Sequence, residues 1–132
     1  MKKYKVATII TQLELGGAQE IAIYTAENLR RDRYSPILVS GCGGILDGEV
    51  KNNPRIEPFF LPQLIRMVNP IKDAVSLIKI WKLLKAEKVD LVHTHSSKAG
   101  ILGRWAAHFA GVPKIFHTYH GFGFNDYQKW WT

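Results

Sequence analysis

Cysteine is almost absent: Cys42 is the only one in 132 residues. A single thiol closes no internal disulfide, so no disulfide framework holds this chain, and the composition suits a reducing cytosol. Long apolar runs are absent as well. None approaches the roughly 18 to 20 residues that a membrane-spanning helix needs. The opening MKKYKVATIITQLELGG imitates a secretory leader, but its apolar run, Val6 to Ile10, is short and soon meets Gln12 and Glu14. No Ala-x-Ala cleavage pattern follows, so the segment reads as a first strand. Internal repeats and low-complexity tracts are missing. So is any nucleic-acid-binding motif or arginine-rich run with interleaved aromatics, which removes nucleic acid from the expected partners. The net charge of +7 then points to a phosphate-bearing ligand, to an anionic membrane surface, or simply to a lysine-coated solvated surface.

What is present is the ordinary balance of a folded chain, 46% hydrophobic and 22% charged, with length for one domain and its core but not two. Lys5 to Ile10 is nearly continuous apolar, as expected of a strand covered on both faces. Gly16-Gly17 breaks it. A helix follows, with Ala18, Ile21, Ala22, Thr25 and Leu29 along one stripe. Pro36 opens a second strand, Ile37 to Ser40, and Gly41, Gly43 and Gly44 predict a loop. Arg55 to Leu61 is a third strand. Asn69-Pro70 is a helix start, with Asn as the N-cap and Pro at the first helical position. That helix runs to about Glu87, with Ile71, Ala74, Val75, Leu77, Ile78, Trp81 and Leu84 as its apolar face. Val89 to Val92 opens a fourth strand, which ends in His93, Thr94 and His95. A helix from about Ser97 to Ala110 and a fifth strand, Lys114 to Tyr119, complete the pattern. Strands alternating with helices predict an α/β fold: a Rossmann-like, doubly wound, mainly parallel sheet with helices on both faces.

In such a sheet ligands sit at the carboxyl ends of the strands, where helix starts offer free N–H groups to anions. Four candidates fall there, each with a plainer alternative. Gly16-Gly17 lets backbone approach a diphosphate, or is only a tight turn. It is neither GxGxxG nor a Walker A loop. His93-x-His95 puts two imidazoles on one strand face. A metal would need further ligands; the plainer role is a buried ring that holds the loop, expected for His93, with His95 the better placed to touch ligand. In His117-x-x-His120 the second histidine closes strand five and can bond a sugar hydroxyl or phosphate, or move a proton. Arg66, Lys72 and Lys98 can bind phosphate, or each is a solvated charge. The Pro70–Glu87 helix could also be a basic amphipathic membrane helix, although a doubly wound sheet needs its apolar face as a cover.

Taken together, Gly16-Gly17-Ala18, Arg66 followed by Asn69-Pro70-x-x-Asp73, VDLVHTHSSKAGILGR (Val89–Arg104) and AGVPKIFHTYHGFGF (Ala110–Phe124) form a pattern spread over almost the whole chain. The chain resembles the N-terminal domain of GT-B glycosyltransferases of the family-4 type, also called group 1. It is most similar to the bacterial branch that builds capsules, exopolysaccharide or lipid-linked sugars. Gln19 departs from the acidic residue that many relatives carry after Gly-Gly-Ala.

The resemblance implies one half of a GT-B architecture: two Rossmann-like domains facing a cleft, and retaining transfer from a nucleotide-diphosphate sugar with no metal and no cofactor. The N-terminal half holds the acceptor, a saccharide that is lipid-linked or phosphorylated. The C-terminal half holds the nucleotide sugar. On this match Gly16 and Gly17 approach the donor diphosphate. His120 stands beside the reacting sugar as the catalytic residue. His95, Ser96 and Lys98 line the acceptor side, and Arg66 faces an acceptor phosphate. Residues 1–121 form the acceptor-side domain, and 122–132 start a truncated helical segment leading to a missing C-terminal domain. Alone, such a chain is expected to be inactive. A cytoplasmic location with peripheral contact at the inner face of the plasma membrane fits the charge and such acceptors. The competing reading is a non-catalytic Rossmann-like module that binds a phosphorylated ligand or pairs with a separate donor-binding subunit. In a third, the histidines are merely core residues.

Overall fold

The structure is a computed structural model that describes residues 3–11, 17–30, 32–44, 46–65, 67–95 and 97–118. Five parallel strands, β1 (Tyr4–Ile9), β2 (Tyr34–Gly41), β3 (Glu57–Leu61), β4 (Leu91–His95) and β5 (Lys114–Thr118), form one sheet in the order β3-β2-β1-β4-β5. The helices are α1 (Gly17–Glu27), α2 (Asp47–Lys51), α3 (Pro70–Ala86) and α4 (Ser97–Ala110). This is the Rossmann-like α/β arrangement predicted from the alternation of elements. The short α2 is new: the glycine-rich stretch after β2 conceals it. There Asp47 accepts hydrogen bonds from the backbone N–H groups of Gly43 and Gly44 and settles the turn into one helical start.

The order decides which helix covers which face. From β1 the chain steps outward to β2 and β3, then returns past β1 to β4 and β5. Right-handed crossovers in opposite directions lie on opposite faces. Accordingly α1 and α2 pack Ala22, Ile23, Ala26 and Val50 against Ile10, Leu38 and Phe60. On the other face α3 and α4 pack Ile80, Leu84, Ala99, Ala106 and Ala107 against Ala7, Ile9, Ile37, Val39 and Val92. The small residues of α4 let it lie close: a Cβ on Gly103 would come within 2.7 Å of Thr94 Cγ2 and 3.2 Å of Ile9 Cδ1.

Two predicted helix faces are rotated from expectation. In α1 the buried residues include Ile23 and Ala26, while Thr25 is exposed. The helix leans over β2, and Thr25 is left beside the uncovered part of the sheet. In α3 the buried residues are Ser76, Ile80 and Leu84. Ile71, Ala74 and Ile78 point outward, with Ile71 78% exposed. Contact with α4 as well as the sheet pulls the inner face round to Ser76, whose small side chain permits close approach. The N-terminus of α3 is as predicted: Asn69 Oδ1 accepts from Lys72 N at 3.0 Å, and Pro70 takes the first helical position.

Candidate functional site

All five strands being parallel, their carboxyl ends share one edge. β1 leads from that edge into α1, β3 through the connector 62–69 into α3, and β4 into α4. β1 and β4 are neighbours, with Thr8 opposite His93 and Ile9 opposite Thr94. The helix after β1 lies on one face and the helix after β4 on the other, which makes this the switch point where such sheets bind ligands. The polar residues buried in the fold gather toward this edge: Thr8, Thr11, Ser40, Thr94 and His95, with Ser76 the exception on α3. Buried polar groups cost free energy unless they are bonded, so a concentration of them marks an edge shaped for something besides packing.

Thr94 and His117 face each other across β4 and β5, with Thr94 Oγ1 2.7 Å from His117 Nδ1. The imidazole sits on Gly100 of α4, where a Cβ would lie 2.5 Å from His117 Cε1. Gly100 is therefore the notch that admits the ring. His93 and His95 lie on the opposite face, as their spacing required, with ring centroids 4.2 Å apart. Their exposure reverses the expectation. His95 is completely buried, while His93 is half-buried and lines a cavity of about 470 Å³ with Thr8, Leu91, Phe116 and others. His95 is shut in at the strand end; the uncovered face beneath it opens instead to His93.

Lys98 does not stand free as a phosphate-binding cation. Its ammonium donates to Asp73 Oδ1 at 2.9 Å and to the carbonyl of Met67, and only 13% of its side chain is exposed. Asp73 Oδ2 in turn accepts from Asn69 N at 3.4 Å. The first turn of α4 is thus bolted to the first turn of α3 and to the connector before it. An ion pair this enclosed holds position better than a surface pair, because water competes less for either partner. Lys72 is exposed on α3.

Among the expected site residues, Gly17 opens α1, and His95 and Lys98 bracket the β4–α4 corner, all on the carboxyl edge. Gly16, Arg66, Ser96 and His120 lie outside the described residues, as does the segment 122–132. Three features escaped the sequence reading. They are the Thr94–His117 bond, the Lys98–Asp73 pair and the outward turn of Met67, Val68 and Ile71. The first two join residues 23 and 25 positions apart; Asp73 was legible as part of a motif, but its partner was not. Among the described residues no group of three or more His, Cys, Asp or Glu could hold a metal ion. No helix among them is long and apolar enough to cross a membrane.

Comparison with known proteins agrees with this architecture. The chain is 42% identical over 127 residues to the UDP-Gal:alpha-D-GlcNAc-diphosphoundecaprenol alpha-1,3-galactosyltransferase of Escherichia coli, covering 96% of this chain and 32% of that protein. A glycosyltransferase from Rickettsia africae superposes with a TM-score of 0.74 at 26% identity, over 92% of this chain and 31% of the other. MurG from Acinetobacter baumannii shares the fold, with a TM-score of 0.66 at 18% identity over 86% of this chain and 34% of its own. The chain spans about a third of the length of these relatives. Residues 15–132 match the profile of Glycosyltransferase Family 4. With the strand order and its switch point already in place, that match assigns the chain to its family: it belongs to glycosyltransferase family 4.

Proposed function

We propose that this chain is the acceptor-side part of a retaining glycosyltransferase that moves a sugar from a nucleotide-diphosphate sugar to a saccharide acceptor carried on a lipid diphosphate. The observation that carries the reading is the identity, over almost the whole chain, to a galactosyltransferase whose named acceptor is a sugar-diphosphoundecaprenol. The helix starts on the carboxyl edge support it, because the N-terminus of a helix favours an anionic ligand. In this reading Gly16 and Gly17 let backbone approach the donor diphosphate. His120 bonds a hydroxyl of the reacting sugar or acceptor and moves its proton. Ser96 and Arg66 meet the acceptor, Arg66 through its phosphate. His95 forms the inner wall behind them. Lys98 acts at one remove, through the Asp73 and Met67 contacts that fix the connector carrying Arg66. The donor is held by a second domain, and the enzyme works in the cytoplasm against the inner face of the plasma membrane.

Two measurements test this. A short-chain, water-soluble prenyl-diphosphate sugar should bind this chain more tightly than a nucleotide sugar does, as followed by calorimetry. The opposite preference would overturn the acceptor-side assignment and favour a donor-binding module. In an enzyme that carries this chain as its N-terminal part, His120→Ala should lower kcat by roughly 100-fold or more, the usual worth of a positioned proton-transfer group. Unchanged turnover would remove His120 from the chemistry.

A further inference from the structure

Two glycines of α4 stand about one turn apart and face one pair of side chains. A Cβ on Gly100 would lie 2.5 Å from His117 Cε1, and a Cβ on Gly103 would lie 2.7 Å from Thr94 Cγ2. Thr94 and His117 are opposite each other in the register of β4 and β5, and Thr94 Oγ1 is 2.7 Å from His117 Nδ1. Glycine inside a helix costs stability relative to alanine. A buried hydroxyl, as at Thr94, is tolerated only when it is bonded. An apolar pair beneath two alanines would cover the sheet with neither cost, so packing alone does not ask for this arrangement. The same hydroxyl donates toward the carbonyl of Phe116 at 3.4 Å. It thus holds the side chain of one β5 residue and the backbone of the residue before it. Among the described residues β5 is an edge strand, paired with β4 alone, and strand ends with so few partners are the first to fray. The grip falls one position before the last register pair, His95 with Thr118. His120 follows three positions after His117, within about 10 Å along the chain at roughly 3.3 Å per residue.

We infer that His117, gripped by Thr94 in the notch of Gly100 and Gly103, is a positioning residue that sets where His120 stands. The inference rests on His120 acting in the transfer, and it adds what holds that residue in place. His117 acts through the chain: its ring is seated against Gly100 of α4, and its part is to fix the carboxyl end of β5. A proton-transfer group must stand within hydrogen-bond reach of its target, and a displacement of about 1 Å caused elsewhere can cost about 100-fold in rate. Without the Thr94 hydroxyl the ring is released from the notch, and the chain leading to His120 shifts with it.

Turnover of an enzyme that carries this chain as its N-terminal part, with kcat and KM separated, tests the grip. Thr94→Val keeps the shape and removes the hydroxyl. It should lower kcat by about tenfold and leave the KM of donor and acceptor within about twofold. Thr94→Ser, which keeps the hydroxyl, should restore kcat. His117→Ala should fall as far as Thr94→Val, and the double variant no further, because the two side chains act as one unit. Phe116→Ala, on the same strand but the opposite face, should keep kcat, which separates the grip from a merely loosened β5. The inference is overturned if Thr94→Val turns over like the wild type, if serine fails to restore kcat, if only KM changes, or if Phe116→Ala loses as much. A second readout needs no turnover. In the 132-residue chain, Thr94→Val should shift the ring resonances of His120 together with those of His117 and leave those of His108 in place. An unmoved His120 overturns the inference. If His120→Ala leaves turnover unchanged while that shift is seen, the catalytic reading of His120 falls and its placement by His117 stands.

Discussion

β2 is buried from Pro36 to Gly41, with α1 and α2 on one face and α3 and α4 on the other. At the far flank of the same sheet, β5 packs Ile115 toward α4 but leaves Phe116 54% exposed on its opposite face. Tyr4 and Tyr34, with ring centroids 6.4 Å apart, lie along the same uncovered strip, which holds a cavity of about 440 Å³ reaching Pro113 and Lys114. The β5 strand, KIFHT, is less apolar than β2 and lies at the sheet edge, yet its Phe116 is as apolar as any residue of β2. The difference is one of crossovers: the two steps outward from β1 place their helices over β1, β2 and β3, and the steps back place theirs on the opposite face. Among the described residues α1 reaches β4, and no helix covers β5 on that side. Burial in a parallel sheet is thus set in part by where the connections run, and two apolar residues on different strands can differ in how much each contributes.

The sharpest way to break this comparison is at a glycine in the covered flank. A Cβ on Gly41 would lie 2.0 Å from the carbonyl oxygen of Leu64 and 2.6 Å from that of Thr11. Both are backbone atoms that cannot swing away, so Gly41→Ala should destabilise by about 3 kcal/mol or prevent folding, as read by urea unfolding. The next largest effect compares two core-type residues. Leu38→Ala, fully enclosed between β1, β3 and α1, should cost about 3 kcal/mol through the lost transfer energy and the cavity left behind. Phe116→Ala should cost about 1 kcal/mol, because half of its ring already faces water. Equal losses at the two positions would mean that the open face is covered in solution. The smallest effect is expected at the notch. In Gly100→Ala the atoms nearest the added Cβ all belong to the His117 ring, which can turn away at the expense of its bond to Thr94. Alanine meanwhile gains helix propensity, so the net loss should be about 1 kcal/mol. A shift in the His117 ring resonances, with those of His93, His95 and His108 unmoved, would confirm that the ring gives way.

Local chemistry was legible in advance. Asn69-Pro70 wrote the start of α3, and α4 falls on Ser97 to Ala110 as its small-residue pattern predicted. The strands came within a few residues of their observed ends. The carboxyl-edge placement of Gly17, His95 and Lys98 was also readable, since it depends only on strands alternating with helices. What a neighbour does to each side chain was not readable. The spacing of His93 and His95 fixed a shared face but could not tell which ring would be enclosed. The lysine at 98 was legible as a candidate for phosphate, but its partner Asp73, 2.9 Å away, was not.

By itself, then, the amino-acid order determined the elements apart from α2 and their parallel assembly, because period, capping and turn chemistry act over a few residues at a time; the family was legible only through the resemblance of its motifs. Tertiary structure alone decided which faces of α1 and α3 turn inward, what occupies Lys98, and that Met67, Val68 and Ile71 stand in solvent. Those outcomes depend on contacts between segments dozens of positions apart, where two surfaces compete for the same side chain and the winner is settled by burial and charge pairing in the folded molecule.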